Sequence, residues 1–248
     1  MDFGKYLVGV LSILFLTYST HAVPITNPTD TGPITLDSDN FANVLVDGSL
    51  SSTSLTFGPG SGFNVGPLSL ATAEPFVVGS DLSIGLALGQ GPAGGIGDFI
   101  VPGFGLASII NGTGADLVVW EAGSPAESFL LSISLDGGAS FSANMSYSTS
   151  SVVPAASTPP FAINSVSIDL ADFGVSASEQ IDAIRLEGLF TGVGGSGPDI
   201  LAVAAINAGA PTGDVPGGGG GAVPEPSTYA MMLLGLASLG IARRRKNT

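Results

Sequence analysis

Short runs of apolar residues broken by Gly, Ser and Asn fill the middle of the chain, and they predict β-strands. Leu82–Leu88 alternates between apolar and small residues, as a strand with one buried face does. Ala115–Glu121 is a compact apolar run containing Val and Trp, which predicts a well-buried strand. Similar runs predict further strands at Phe41–Asp47, Leu55–Phe57, Phe76–Val78, Ile163–Leu170, Ile181–Phe190 and Ile200–Ile206.

A β-hairpin is predicted between residues 129 and 147. Phe129–Leu135 and Ala139–Tyr147 both place apolar residues at alternate positions, and Asp136–Gly138 supplies a tight loop that tolerates positive φ. A helical pattern is confined to a turn near Ser176–Gln180. Roughly nine to eleven short strands with few helices predict an all-β fold, an antiparallel β-sandwich over residues 23–207.

The N-terminal residues have the pattern of a secretory signal peptide. Lys5 precedes Tyr6–Leu16, an apolar run of 11 residues, and Thr20–Ala22 resembles a small-x-Ala cleavage site. A run of this length is too short to span a bilayer. We therefore expect a signal helix within residues 1–22, export by the Sec machinery and cleavage after Ala22.

The C-terminal residues combine a stiff Pro-Glu-Pro, an uncharged apolar run and a cluster of cations. As a helix, the 15 residues of Thr228–Ala242 would be roughly 22 Å long, against a hydrocarbon core of roughly 30 Å. Long cationic side chains can reach the interface and make up part of the difference, and they stay on the cytoplasmic side. The pattern predicts a transmembrane helix at about 228–242 in the inner membrane, joined to the body by a Gly-rich linker over residues 208–222.

The order of these parts resembles the PEP-CTERM sorting signal of Gram-negative bacteria. In that family an exosortase recognises the signal, removes the tail and passes the protein to the cell surface. The resemblance implies an exosortase partner and a sorting signal over residues 223–248. A plain membrane anchor is the alternative, but it gives Pro-Glu-Pro no role. The residues that carry the resemblance are Val223, Pro224, Glu225, Pro226, Arg243, Arg244, Arg245 and Lys246.

Composition excludes several kinds of chemistry. The chain has no Cys, and its single His, His21, lies within the predicted signal peptide. This excludes Ser-His-Asp and Cys-His catalysis in the mature protein, and zinc, copper or haem sites built on His or Cys. Residues 23–242 contain 19 acidic residues and one basic residue, Arg185, a formal charge of −18. Such a field disfavours nucleic-acid binding and favours divalent cations.

Carboxylates are the main chemical groups that remain. Calcium takes oxygen ligands of this kind, and solvated strand-end carboxylates are the alternative. A carboxylate pair that hydrolyses a glycosidic bond is a second, enzymatic alternative. Arg185 is expected to pair with a carboxylate, with a bound ligand as the alternative, and Trp120 is expected in the core rather than on a sugar-binding face. The candidate calcium ligands are Asp116, Glu121, Glu127 and Asp199.

Four patches of the body resemble a discoidin-like, galactose-binding-type jelly roll of bacterial surface proteins. The resemblance implies a jelly-roll-like sandwich. We therefore expect a non-enzymatic surface or extracellular-matrix protein with a structural, adhesive or polysaccharide-binding role and calcium as a candidate cofactor. A carboxylate-dependent polysaccharide hydrolase and a plain surface spacer are the alternatives. The patches are residues 114–121, 134–138, 181–186 and 197–203.

Overall fold

The described part of the chain covers the predicted sandwich and little else. The computed structural model describes residues 23–51, 54–57, 67–89, 97–123, 127–153, 161–177, 179–189 and 197–210, and these residues belong to one compact unit. The predicted signal helix, most of the linker and the predicted transmembrane helix lie outside the described residues. Within them, no helix is both long enough and apolar enough to cross a bilayer.

Strands are the main regular structure of the described residues, and each pairing between them is antiparallel. The helical segments are short: α1 is Leu70–Ala73, and 3-10 turns occupy Ser38–Asn40, Glu74–Phe76 and Leu170–Phe173. The strands are β1 Pro24–Asn27, β2 Ile34–Asp37, β3 Val44–Ser49, β4 Ser54–Phe57, β5 Gly85–Ala87, β6 Phe99–Gly103, β7 Ser108–Ile110, β8 Leu117–Ala122, β9 Ser128–Ser134, β10 Met145–Ser148, β11 Ser150–Val153, β12 Ile163–Ile168, β13 Gln180–Ile181, β14 Ala183–Gly188, β15 Asp199–Ala205 and β16 Ala208–Gly209.

Two sheets pack on one hydrophobic core and confirm the predicted all-β, sandwich-like architecture. The five-stranded sheet has the order β10-β9-β14-β6-β3, and the six-stranded sheet has the order β11-β12-β8-β15-β5-β4. Two small sheets, β1-β2 and β13-β7-β16, complete the described fold. The core takes side chains from the inner faces of both large sheets, as a sandwich requires. They include Ile100, Phe129, Leu131 and Leu186 from the first sheet and Leu86, Leu117, Val119 and Val203 from the second.

The central part of the outer face of the six-stranded sheet is also buried, because the β1-β2 hairpin covers it. Trp120 of β8 is 0% exposed, its ring stacks on Phe41 with centroids 5.8 Å apart, and its Nε1 donates to the Pro28 carbonyl at 2.7 Å. The prediction of Trp120 in the core is confirmed. Burial on both faces explains why β8 reads as a continuous apolar run rather than an alternating one.

The predicted tight hairpin loop at Asp136–Gly138 was wrong. Met145 pairs with Leu131, so the connection between β9 and β10 runs from residue 135 to residue 144. The Asp136 side chain gives the physical reason. It accepts hydrogen bonds from the Ser140 backbone N–H at 2.8 Å and from the Ser140 hydroxyl at 2.6 Å, which folds the segment into a compact loop instead of extending the ladder.

Other sequence-based boundaries shift for local reasons. The strand predicted at Phe76–Val78 is wrong, because Pro75 lies in a 3-10 turn that ends when the Val77 N–H donates to the Glu74 carbonyl at 3.1 Å. Strand β6 was not predicted, since it contains Pro102 and follows a Gly-rich segment. Pro102 has no N–H to donate, and a register shift between Leu45 and Asp47 on β3 lies opposite it.

Candidate functional site

Three of the predicted ligand carboxylates lie close together where the chain crosses between the two large sheets. The crossing is at Thr149, between β10 of one sheet and β11 of the other, and its N–H donates to the Glu127 carbonyl at 3.3 Å. Glu121 lies near the end of β8, and its neighbour in the ladder is Ile200, directly after Asp199. We call Glu121, Glu127 and Asp199 the corner cluster.

Glu121 is the buried member of the corner cluster. It is 0% exposed, and its Oε2 accepts hydrogen bonds from Asn164 Nδ2 at 2.7 Å and from Thr149 Oγ1 at 3.0 Å. Oε1 has no partner with standard hydrogen-bond geometry among the described residues, although the backbone amides of Glu127 and Asp199 face the carboxyl group. Burial raises the pKa of Glu121, and the hydrogen bonds from Asn164 and Thr149 only partly oppose that effect.

Glu127 is half-buried at the same corner, and its pKa is raised from 4.5 to about 8. Burial is the largest cause, followed by the negative charges of Asp199 and Glu121. Three carboxyl groups this close cannot all ionise without mutual repulsion. Near neutral pH the corner cluster therefore holds at least one proton.

Stability should fall as the pH rises through the range set by Glu127. Below about pH 4.5 the group is protonated in both folded and unfolded chains, whereas between 4.5 and about 8 only the folded chain keeps the proton. The unfolded state then binds fewer protons, so the free energy of unfolding decreases with increasing pH. We expect the thermal midpoint to decrease from pH 5 to pH 9, and to decrease less in Glu127→Gln. Asp39→Asn, which removes an exposed carboxylate on another element, should keep the full slope; equal slopes in all three proteins would contradict this assignment.

Asp116, the fourth predicted calcium ligand, lies elsewhere. It directly precedes β8, whereas Glu121 is near the other end of that strand, about 17 Å away at the rise of an extended chain. Its carboxylate is 0% exposed and accepts three hydrogen bonds, from the N–H of Gly112 at 2.7 Å, Asn207 Nδ2 at 2.7 Å and the N–H of Leu170 at 2.8 Å. Asp116 therefore ties three loops together.

The predicted four-carboxylate calcium site is thus divided between two ends of β8. Across the described ranges, no group of three or more His, Cys, Asp or Glu side chains has the arrangement of a metal site. At the corner cluster, Oε2 of Glu121 is already used by two protein donors. Calcium binding at this corner stays a prediction.

Arg185 pairs with a carboxylate, as expected. Its Nε contacts Oε1 of Glu187, and its guanidinium carbon lies 3.7 Å from the centre of the Phe99 ring. Oε2 of Glu187 accepts a hydrogen bond from Asn144 Nδ2 at 3.0 Å. Arg185 and Glu187 therefore both make contacts within the protein, and the pair lies on the outer face of the five-stranded sheet. A ligand-binding role for Arg185 stays a prediction.

A cavity of about 350 Å³, which the sequence did not indicate, lies at the far end of β9. Its lining comes from the end of β9 with the β9–β10 loop, and from the end of the last 3-10 turn with the segment that follows it. These segments are more than 25 residues apart in the chain, so no local pattern connects them. The lining residues are Ile133, Leu135, Ser140, Phe141, Ser142, Phe173, Gly174, Val175 and Glu179.

Comparison with known families gives one match, and it concerns where the protein is sent in the cell. Residues 222–246 match the family model described as the PEP-CTERM protein-sorting motif. The chain carries a PEP-CTERM sorting motif. The matched range contains the eight residues that carry the resemblance, from Val223 to Lys246, but ends before residue 248, the predicted end of the signal. It lies outside the described residues. The PEP-CTERM motif implies export and exosortase processing. No curated protein and no solved structure matches the chain.

Proposed function

We propose that this chain is exported, sorted by an exosortase and displayed at the cell surface or in the extracellular matrix. The match of residues 222–246 to the PEP-CTERM sorting motif carries the proposal. The Tyr6–Leu16 run and the sequence around Ala22 support Sec-dependent export before sorting. The processing partner is an exosortase in the inner membrane.

The parts of the tail act in sequence during sorting. The apolar run Thr228–Ala242 enters the inner membrane, and the cations that follow it hold the C-terminus on the cytoplasmic side. Pro224–Pro226 is then presented outside the membrane, where its restricted backbone offers a fixed shape to the exosortase. Removal of the tail releases the body.

The proposed role of the released body is structural or adhesive, with polysaccharide as the binding partner. The described fold suits that role, because two antiparallel sheets form a rigid scaffold on which loops can present a site. The formal charge of −18 over residues 23–242 favours solubility and opposes nucleic-acid binding. The finer proposal, a jelly roll of the galactose-binding type, rests on the sequence patches 114–121, 134–138, 181–186 and 197–203.

A polysaccharide hydrolase is the second candidate, and the raised pKa of Glu127 is the observation that favours it. A glycosidase needs two carboxyl groups that both reach the sugar. Glu121, the neighbour of Glu127, is 0% exposed and bonded to Thr149 and Asn164, so it is poorly placed to act on a substrate. We therefore favour a binding protein. New reducing ends from a polysaccharide incubated with the protein, abolished by Glu127→Gln, would favour the hydrolase instead.

The intact mass of the native surface protein tests the sorting proposal. We expect a species that has lost the residues up to about Ala22 and the residues that follow Pro224–Pro226. Neutralising the cluster at residues 243–246 with Asn should instead yield a membrane-bound species that keeps its tail. Asp214→Asn, a charge change in the linker outside the motif, should be processed normally. Mature surface protein that retains Arg243 would contradict sorting and would support the alternative, in which the tail is a plain membrane anchor.

A further inference from the structure

The cavity at the end of β9 has one wall that is fixed by its own hydrogen bonds. In the β9–β10 loop, Asp136 accepts from the backbone and hydroxyl of Ser140 and from the hydroxyl of Ser134 at 2.7 Å. These bonds, those from Ser140 first, lower the pKa of Asp136 to about 2. Ser142 attaches the loop to the end of β9, since its N–H donates to the Ile133 carbonyl at 2.9 Å and its Oγ accepts from the Ile133 N–H at 3.1 Å.

The described residues of the opposite wall are also held by hydrogen bonds. The N–H of Asn111 donates to the Glu179 carbonyl at 3.2 Å, and the side-chain amide of Asn111 donates to the Val175 carbonyl. Oε2 of Glu179 accepts from the Ser176 N–H at 2.9 Å. The Phe173 ring lies 6.2 Å from the ring of Tyr147, which packs on the core. A cavity between two fixed walls requires little ordering of the protein when a ligand enters.

The lining offers hydrogen-bond acceptors and apolar faces but few free donors. The hydroxyl of Ser140 donates to Asp136 at 2.6 Å, and the hydroxyl of Ser142 is directed at the Ala143 carbonyl at 3.2 Å. What remains is acceptor capacity, on these hydroxyl oxygens and on the carboxylate of Glu179, the one charged side chain among the lining residues. The rings of Phe141 and Phe173 supply apolar faces.

A matching ligand must combine many donors with a flat apolar face. A sugar ring does so, because its hydroxyl groups donate and its C–H face packs on aromatic rings. An ammonium group on the sugar would also suit Glu179, whereas a carboxylate would be repelled by Glu179 and by the acidic body. About 350 Å³ falls at the lower end of the range typical of small-molecule sites, which suits the terminal sugar of a chain.

We propose that the cavity between the β9–β10 loop and residues 173–179 binds the terminal sugar of a polysaccharide, and that it selects neutral or amine-bearing sugars over uronic acids. This inference rests on the proposed polysaccharide-binding function and gives that function a place and a selectivity. Glu179 accepts hydrogen bonds from the sugar, the aromatic rings pack on its face, and Leu135, which is 51% exposed, borders the opening.

Calorimetric titration of the full chain in detergent tests the proposal with oligomers of glucose, glucosamine and galacturonic acid. We expect the first two to bind and the third not to bind. Glu179→Gln should weaken glucosamine binding roughly tenfold or more, since it removes a charge-assisted hydrogen bond, and should affect glucose less. Leu135→Trp, at an exposed position, should block the opening and abolish binding of both. Asp172→Asn is the matched control, because it removes an exposed negative charge that is next to the lining but not part of it.

The outcomes show whether the cavity proposal fails alone or together with the proposed polysaccharide-binding function. Binding that is lost in Leu135→Trp and kept in Asp172→Asn supports the cavity. Glucose and glucosamine binding that survives in both Leu135→Trp and Glu179→Gln overturns the cavity while polysaccharide binding stands. If the unaltered chain binds none of the three oligomers, both the cavity and the proposed polysaccharide-binding function fail. Galacturonate binding as tight as glucosamine binding overturns the selectivity. Thermal unfolding of each variant verifies that it is folded.

Discussion

Replacing Asp116 with Ala should reduce the free energy of unfolding by about 3–5 kcal/mol, because one buried and two partly buried donors lose their acceptor. The carboxylate accepts from two backbone N–H groups, those of Gly112 and Leu170, and from the side-chain amide of Asn207. The bond from the Leu170 N–H is fully buried, so that donor stays unsatisfied unless the loops move. Urea unfolding followed by the fluorescence of Trp120, the single tryptophan, measures the change.

Conservative and matched variants separate this explanation from a general loss of packing. Asp116→Asn keeps the shape but turns one acceptor into a donor, so it should cost roughly half as much as Asp116→Ala. Asn207→Ala removes one of the donors, and its cost should be less than additive with Asp116→Ala. Asp39→Ala, on the exposed side of a 3-10 turn, should change stability by no more than about 0.5 kcal/mol. A cost below about 1 kcal/mol for Asp116→Ala would show that the loops do not depend on this carboxylate.

The sequence predicted best those strands that are buried on both faces. The run Ala115–Glu121 became β8, Leu117–Ala122, and the run Ile200–Ile206 became β15, Asp199–Ala205. Both strands are central in the six-stranded sheet, with the sandwich core on one side and the β1-β2 hairpin on the other. A strand in that position has no polar face, so its apolar run is unbroken and easy to recognise.

Side-chain hydrogen bonds account for the elements that the pattern did not predict correctly. The spacing of apolar residues around Asp136 fits a tight hairpin, but the hydrogen bonds that Ser140 donates to Asp136 outweigh it and extend the loop to residue 144. In β6, Pro102 reads as a strand breaker. It is tolerated because a register shift on β3 lies opposite it. The spacing of apolar residues alone reveals neither the contact between Asp136 and Ser140 nor the register shift opposite Pro102.

For the candidate sites too, the sequence predicted residue types but not the contacts that those residues make. An acidic residue beside a predicted strand is visible in the sequence, but the sequence does not reveal whether protein donors already occupy its oxygens. Asp116 is fully used within the fold, whereas Glu127 is half-buried beside two other carboxylates. The cavity lining joins segments that are distant in the chain, so only the folded structure brings Phe141 and Glu179 together. The sorting motif was predictable because its parts are contiguous.

The second large effect is expected at Trp120, where replacement by Ala should cost about 3–5 kcal/mol. The ring is 0% exposed between the six-stranded sheet and the N-terminal hairpin, stacked on Phe41, and its Nε1 donates to Pro28 in the turn of that hairpin. Losing the ring leaves a cavity and leaves the Pro28 carbonyl without this donor. The loss of stability should therefore be largest in the β1-β2 hairpin.

Hydrogen exchange measures where the stability is lost. In Trp120→Ala, the amides of Ile25 and Leu36 should exchange far faster, while those of the five-stranded sheet change only as much as global stability does. Trp120→Phe keeps an aromatic ring against Phe41 but cannot donate to Pro28, so it should cost about 1–2 kcal/mol and loosen the hairpin less. Leu106→Ala, at a residue 59% exposed, provides the surface control. If exchange in Trp120→Ala rose equally in every strand, Trp120 would support the sandwich as a whole and would not specifically attach the hairpin to it.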